Sequence, residues 1–516
     1  MAVKTGKVIL VGSGPGDPGL ITVRGKEAIE SAEIVVYDNL ASPIFLSYAP
    51  SDSEKIHVGK KGASHTMEQA EINQLLVDKA SEGKTVVRLK GGDPYIFGRG
   101  SEEAEFLAQN GIEFEVVPGI PAAIGASATA GIPLTDRRYT STLAFITGHE
   151  DPTKDESSIE WEHLAKGIGT IVIYMGVKTL PAVMAKLIEH GRDPETPVAV
   201  VEWATTPRQR IIRGNLRNIA QIAEENEIKP PSLAIIGKVN TIGDILNWFE
   251  KRPLFGKTIA VTRSRLQASQ LVRELRVLGA DVLETPTIDI KPPENWDELD
   301  RAARGVSSYD WIIFTSPNGV RFFFERMRNA GFDTRKLAAA KIASIGPATS
   351  EELQNHGINP DYQPLKYVSE SIFQGLKDIE NLDGKKILMP RSELARENLA
   401  DFLRDNGALV DDIPAYRNVP ADFDVDSFKS LIADGKVDAI TFTSSSTVDF
   451  FVERMSGEFI NRNIRNINAA SIGPITSETL KTHGIQPVIE ADEFTIPGLV
   501  KKILEYYSSQ HRNKKK

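Results

Sequence analysis

The sequence predicts an α/β protein assembled from more than one domain, and three observations carry that reading. Short apolar runs alternate with helical periods through the first half, the pattern of strands covered by helices. Glycine-rich turns follow several of those runs directly. The second half then repeats itself. At 516 residues the chain is too long for a single core and points to about two to four domains.

Strands are expected at Val8 to Val11, Ile34 to Tyr37, Val86 to Leu89, Phe114 to Val117, Leu143 to Thr147, Ile171 to Tyr174, Val198 to Val201 and Leu233 to Ile236. Helix signals fall between them. Thr66-Met67-Glu68-Gln69 reads as a capping box opening a helix that ends near Gly83. The stretch Glu250-Lys251-Arg252-Pro253 is charged and proline-stopped, and the chain is expected to divide there.

Beyond Pro253, four blocks recur in one order. Gly256 to Arg263 aligns with Gly384 to Arg391, Gly279-Ala280 with Gly407-Ala408, Asp310 to Met327 with Asp438 to Met455, and Ser344 to Leu353 with Ser471 to Leu480. Two repeats are too few for a solenoid, so they are read as two similar α/β lobes facing each other across a cleft. In each, a strand (Trp311 to Phe314; Ala439 to Phe442) ends in Thr-Ser and enters a helix. A second strand ends in Ile-Gly-Pro before a Thr-Ser pair read as an N-cap. Ligands collect at the carboxyl ends of strands in open α/β sheets, and hydroxyls beside helix N-terminal amides suit anions. Helix capping alone would leave the same residues. Their recurrence around one expected cleft favours an acidic ligand.

Composition excludes several function classes. A net charge of −9 argues against a general nucleic-acid binder, which needs a basic face. The basic tail from Arg512 reads as solvated and frayed. With no cysteine, disulfides and thiolate metal sites are excluded, and no metal site is expected. No signal-like apolar segment opens the chain, and no window approaches the roughly 20 apolar residues of a membrane span. A cytoplasmic protein without a membrane partner is expected.

The first half carries its chemistry in turns. Val86 to Leu89 runs into Lys90-Gly91-Gly92-Asp93-Pro94, with Gly98 and Gly100 following, a loop built for close backbone approach to a ligand. Val8 to Val11 runs into Gly12 to Gly19, where Pro15 breaks the dinucleotide fingerprint and no P-loop lysine follows. Asp38 and Lys60 sit at strand ends, where a carboxylate and an ammonium can move protons, or where they are ordinary turn residues.

Together GSGPGDPGLIT (Gly12 to Thr22), VVYDNL (Val35 to Leu40), VGKKG (Val58 to Gly62), VVRLKGGDPYIFGRG (Val86 to Gly100), VVPGIPAA (Val116 to Ala123), GIPLTDR (Gly131 to Arg137), TGH (Thr147 to His149) and YMG (Tyr174 to Gly176) closely resemble the uroporphyrinogen-III C-methyltransferases. The resemblance spans about residues 5 to 250. The remainder, about 254 to 505, resembles the uroporphyrinogen-III synthases through Val261-Thr262-Arg263, the FTSPNGV and FTSS blocks, Pro414-Ala415-Tyr416-Arg417 and the duplication. The two resemblances support each other, because one activity makes the other's substrate.

The first resemblance implies a tetrapyrrole-methylase fold over 1–252, with subdomains of about 1–136 and 137–252 and a cleft between them. It implies S-adenosylmethionine bound at Pro15, Gly91, Gly92, Asp93, Ile96, Pro121, Ala122, Met175 and Ala204, with S-adenosylhomocysteine as product. Asp38 matches the family's proton acceptor and Lys60 its donor. Pro121 stands where threonine is common and Trp203-Ala204 where Asn-Gly is common, which puts side-chain contacts there in doubt. A homodimer through this half is implied.

The second resemblance implies a bilobal synthase over 254–510, lobe one being about 254–290 with 420–510 and lobe two about 291–419. The chain would cross at Asp289 to Glu294 and Ala415 to Pro420. Tyr416 matches the family tyrosine that assists loss of the substrate hydroxyl; as a plain residue it could equally be an interlobe aromatic. Thr315, Ser316, Asn318, Thr443, Ser444 and Ser445 would hold substrate carboxylates. Arg263 and Arg391 would do the same or would pin strand ends. The reading is a bifunctional enzyme acting on small tetrapyrroles. The alternative is a methyltransferase with a non-catalytic tetrapyrrole-binding half, and a weaker rival is a methylase of later corrin intermediates.

Overall fold

The structure is a computed structural model that describes residues 6–59, 67–149, 158–263, 265–365, 369–393, 398–421 and 423–514. Lys60 and Thr66, both named above, lie outside these residues. The chain forms two compact units, residues 1–258 with 274–281 and 507–516, and residues 259–273 with 282–506.

The first unit holds two five-stranded sheets. Strands β1 (Lys7–Gly12), β2 (Ile34–Tyr37), β3 (Glu54–His57), β4 (Thr85–Lys90) and β5 (Glu113–Val117) form the first, in the order β3-β2-β4-β1-β5. All pairings are parallel. Its central strands are apolar at successive positions because helices cover both faces. Val8, Leu10, Val36 and Val86 pack on one side; Ile9, Val11, Val35 and Val87 pack on the other. The helix Gln69–Ser81 starts two residues later than expected: Glu68 is its cap, and the Glu71 carboxylate accepts from the Glu68 backbone N–H at 2.6 Å.

Strands β6 (Leu143–Thr147), β7 (Thr170–Tyr174), β8 (Pro197–Glu202), β9 (Arg210–Asn215) and β10 (Ser232–Ile236) form the second sheet, ordered β6-β7-β10-β8-β9. Only β6 and β7 pair in parallel. All eight strands expected from apolar runs form. The two that were missed, β3 and β9, are sheet edges with polar sequences (EKIH and RIIRGN), which an apolar-run criterion passes over.

Ten further strands follow: β11 (Thr258–Val261), β12 (Asp281–Glu284), β13 (Ile288–Lys291), β14 (Trp311–Phe314), β15 (Lys341–Ser344), β16 (Lys386–Ser392), β17 (Leu409–Pro420), β18 (Ala439–Phe442), β19 (Ala469–Ser471) and β20 (Pro487–Glu490). They make two sheets, β12-β11-β18-β19-β20 and β13-β17-β16-β14-β15. The sequence repeats are therefore not the lobes. Strands β11 and β12 of the first repeat pair into one sheet with β18 to β20 of the second, while β16 and β17 of the second join β14 and β15 of the first. The crossing segments pair with each other: β13 runs antiparallel to the end of β17, Ile288 opposite Pro420 and Lys291 opposite Arg417. Arg417 adds bonds to the Pro292 carbonyl at 3.2 Å and to Glu294 at 2.7 Å.

The Thr-Ser pairs after Ile-Gly-Pro are not N-caps. Gly346 and Gly473 occupy the cap positions, and Thr349, Ser350, Thr476 and Ser477 are buried one turn inside. Their serines reach back to the preceding strand instead: Ser350 lies 2.7 Å from Ser344, and Ser477 lies 2.5 Å from Ser471, oxygen to oxygen. Among the described residues no helix is long and apolar enough to cross a membrane, and no cluster of potential metal ligands occurs.

Candidate active sites

In the first unit, the loops after β1, β2, β4, β5, β7 and β8 carry the predicted residues. The glycines among them serve the chain's own packing first. Gly14 and Gly92 exchange backbone hydrogen bonds, 3.1 Å from the Gly14 N–H and 2.8 Å from that of Gly92. A Cβ on Gly119 would sit 2.2 Å from the Gly92 carbonyl, one on Gly12 would sit 2.5 Å from the Gly119 nitrogen, and one on Gly91 would meet the Leu40 Cβ at 2.7 Å. Gly92 differs. Its φ is +68°, yet nothing stands within 3.8 Å of where a Cβ would be, and the nearest atom is the Ala122 nitrogen. That is open space lined by main chain.

Asp93 fastens this cradle. Its carboxylate accepts from the Tyr95 N–H at 2.8 Å and from the Gly119 N–H at 3.0 Å, joining the loop after β4 to the loop after β5. Pro121 is the N-cap residue of the helix Ala122–Ala130, so Ala122 opens that helix. The next N–H, of Ala123, donates to the Tyr174 hydroxyl at 2.9 Å. Burial raises the Tyr174 pKa and the Ala123 bond draws it back. Pro15 lies against Gly125, and the Asp17 N–H donates to Thr205 Oγ1 at 3.1 Å, which ties the loop after β1 to the loop after β8.

Backbone strain collects here. Phe97, Arg99, Met175, Trp203 and Thr205 all have positive φ, five of the seven such non-glycine residues among those described. Trp203 stands where asparagine is common, and asparagine adopts a positive φ with less strain than tryptophan. Arg208 stacks over Trp203 at 4.3 Å. Sidechains that elsewhere would be covered face solvent: Tyr95, Ile96, Phe97 and Met175 are all exposed. Main-chain groups, strained turns and uncovered apolar side chains suit an organic ligand held by its edges.

Asp38, at the end of β2, is not an isolated turn residue. Its Oδ2 accepts from Arg88 Nη2 at 3.0 Å and its Oδ1 from the Leu40 N–H at 3.0 Å. Arg88, Lys90 and Glu103 were missed in the sequence, although two cations at alternate positions of an apolar strand signal a buried carboxylate.

The second unit places Tyr416 on β17 with only 6% of its surface exposed. Its hydroxyl lies 3.0 Å from Ser316 Oγ, and its ring stacks on Phe322 at 6.1 Å. Burial raises the phenol's pKa; hydrogen bonds from Ser316 and Asn318 pull it back. Ser316 also caps the helix Pro317–Asn329, accepting from the Gly319 N–H at 3.1 Å. Ser444 does the same for Ser445–Met455, so the repeat equivalence survives in three dimensions. Ser445 Oγ accepts from Thr479 at 2.9 Å. Thr315 and Thr443 follow β14 and β18 directly, and Arg263 is half-buried just beyond β11. Burial lowers the Arg263 pKa. Arg391 was expected to hold a substrate carboxylate or to pin a strand end. Its guanidinium is buried and engaged by Asp412 through Nε and Nη2, a contact between β16 and β17.

Residues 7–220 match the family described as tetrapyrrole (corrin/porphyrin) methylases, and residues 269–501 match uroporphyrinogen-III synthase HemD. The porphyrin biosynthesis protein HemD of Ruminiclostridium josui is 38% identical over 500 residues, 97% of this chain and 98% of that protein. The chain belongs to both families. It is a two-part tetrapyrrole biosynthesis enzyme, a methylase followed by a synthase. A S-adenosyl-L-methionine-dependent uroporphyrinogen III methyltransferase of Methanosarcina barkeri is 57% identical over 246 residues, 48% of this chain and 96% of that protein. A uroporphyrinogen-III C-methyltransferase of Bacillus subtilis is 41% identical over 371 residues, 70% of this chain and 75% of that protein.

Proposed function

We propose that the synthase half closes hydroxymethylbilane to uroporphyrinogen III with inversion of ring D, and that the methylase half then methylates that product twice to give precorrin-2. The observation that carries the reading is the coexistence in one chain of the Gly14-Gly92-Asp93 cradle and the buried Tyr416-Ser316 pair.

In ring closure a C–O bond breaks, water leaves and a C–C bond forms at ring D. Tyr416 supplies the proton the departing hydroxyl needs. The phenol is protonated at neutral pH; burial makes it a weaker acid, and the bonds from Ser316 and Asn318 offset part of that, leaving its O–H available to the departing hydroxyl. Thr315, Ser316, Asn318, Thr443, Ser444, Ser445 and Arg263 stand at strand and helix ends, where hydroxyls and amides can hold propionate and acetate groups.

S-adenosylmethionine supplies an electrophilic methyl group, leaving as S-adenosylhomocysteine. The cradle fits it: the open main-chain space at Gly92, beside the Ala122 nitrogen, can grip its polar ends by backbone groups, and Pro15, Gly91, Asp93, Ile96, Pro121, Met175 and Ala204 are assigned to the same cofactor. Asp38 takes up the proton that the alkylated pyrrole releases, and Lys60 returns one. The pyrrole carbon is the nucleophile, so the protein's contribution is orientation and proton handling. The methylase half is expected to pair as a homodimer, and the enzyme to work in the cytoplasm.

Mass analysis of products formed from hydroxymethylbilane, with and without S-adenosylmethionine, tests both steps. Uroporphyrinogen III alone without the cofactor and a dimethylated product with it are expected. If only the non-inverted isomer accumulates, the second half is a binding module rather than a catalyst.

A further inference from the structure

Beneath Asp38 lies a buried charge cluster to which no role has yet been given. Arg88 on β4 is 3% exposed, Lys90 two residues on is 4% exposed, and Glu103 is fully buried. Glu103 Oε1 accepts from Lys90 Nζ at 2.8 Å, from Arg88 Nε at 3.2 Å and from Gln69 Nε2 at 3.2 Å. Its Oε2 is buried with no hydrogen-bond partner among the described residues. Arg88 divides its fork between two carboxylates: Nε to Glu103, Nη2 to Asp38 at 3.0 Å, and Nη1 to the Leu89 carbonyl at 2.9 Å.

Three buried charges, with Asp38 half-buried at their edge, cost several kcal/mol each unless paired, and packed apolar residues would be the cheaper core. The cost is offset here by an even balance of two cations and two anions. The helix Gly100–Gln109 also places Glu103 in its first turn, where its N-terminal amides favour an anion. A guanidinium fixed in a planar fork at three of its nitrogens can turn a carboxylate to one orientation, which an ammonium cannot. Glu103 and the Leu89 carbonyl lock the fork from the core side, leaving Nη2 directed at Asp38.

We infer that Arg88, aligned by Glu103, is a positioning residue that orients the Asp38 carboxylate for proton uptake in methyl transfer. This rests on Asp38 being the proton acceptor.

The test is steady-state kinetics of the full chain with uroporphyrinogen III and S-adenosylmethionine. Arg88→Gln is expected to lower kcat by about 10²-fold, the loss typical of a misplaced reacting group, with KM for both substrates unchanged. Arg88→Lys, which keeps the cation and loses the fork, is expected to recover part of that loss. In an Asp38→Asn background Arg88→Gln is expected to add no further loss, since it acts only through Asp38. Losses that multiply in the double variant, or a KM rise with kcat intact, overturn the inference alone. Full turnover in Asp38→Asn overturns the acceptor reading and this inference with it. Should Arg88→Gln not fold, Glu103→Gln serves: the same kcat loss at constant KM is expected, and parental kcat overturns the alignment role.

Discussion

The Tyr416 hydroxyl and Ser316 Oγ stand 3.0 Å apart although 100 residues separate them in sequence. One hydroxyl belongs to a crossing strand and the other to a helix cap, so the buried phenol and a helix terminus share a hydrogen bond. Tyr416→Phe removes the phenol oxygen and leaves the cap intact. Slower closure with a larger share of the non-inverted isomer is expected, at nearly parental melting temperature. Isomer analysis by chromatography checks it, and a parental isomer ratio would reject the donor role.

Arg391 separates a binding role from a structural one. If it pins β16 to β17 through Asp412, Arg391→Met strands a partly buried carboxylate and costs about 3 kcal/mol of stability, the low end for a broken buried pair. If it holds substrate, KM for hydroxymethylbilane rises at constant stability. We expect the first, read as a fall in denaturant midpoint of the second unit's transition.

Asp93→Ala removes the acceptor that joins the Tyr95 and Gly119 N–H groups. Losing hydrogen bonds to a charged group costs about 1.5–3 kcal/mol, so roughly ten- to a hundredfold weaker S-adenosylmethionine binding is expected. Ring closure should be untouched. Calorimetric titration measures the first and hydroxymethylbilane turnover the second; unchanged cofactor affinity would show the strut to be dispensable.

Glu380 governs an acid limb of stability. Lys341, Lys385 and the Trp311 indole N–H hold its carboxyl down to about 2. A depressed carboxyl pKa contributes stability above its ordinary value of 4.5 and loses it as pH falls toward 2. For a pair with water-facing lysines the contribution is on the order of 1 kcal/mol. Glu380→Gln should therefore lower the melting temperature at pH 7 and converge with the parent near pH 2. A constant difference across that window would contradict the assignment.

Much of the first site was legible before any coordinates. Local backbone demands write themselves into sequence, and Gly12, Gly14 and Gly92 marked the turns after β1 and β4 by being glycine. What they approach was not legible: most press against one another, and only Gly92 opens outward. Strands with apolar runs were found because burial on both faces leaves a continuous signal. The polar edges β3 and β9 were not, because one-sided pairing asks little of side chains.

The duplication was visible as aligned blocks, but alignment reports only ancestry along the chain. Which strands share a sheet is decided by long-range pairing, and pairing exchanged β16 and β17 for β11 and β12 between lobes. The same holds for charge. Asp38 and Arg88 lie 50 residues apart in sequence, and the parallel register of β2 on β4, Val36 beside Arg88, brings them within bonding distance. Sequence by itself determined the element types, which follow from local sterics and hydrophobic period, and the two families, which whole motifs carry. Tertiary structure decided the partners of each ionised group, because desolvation forces a buried charge to pair with whatever opposite charge the fold delivers.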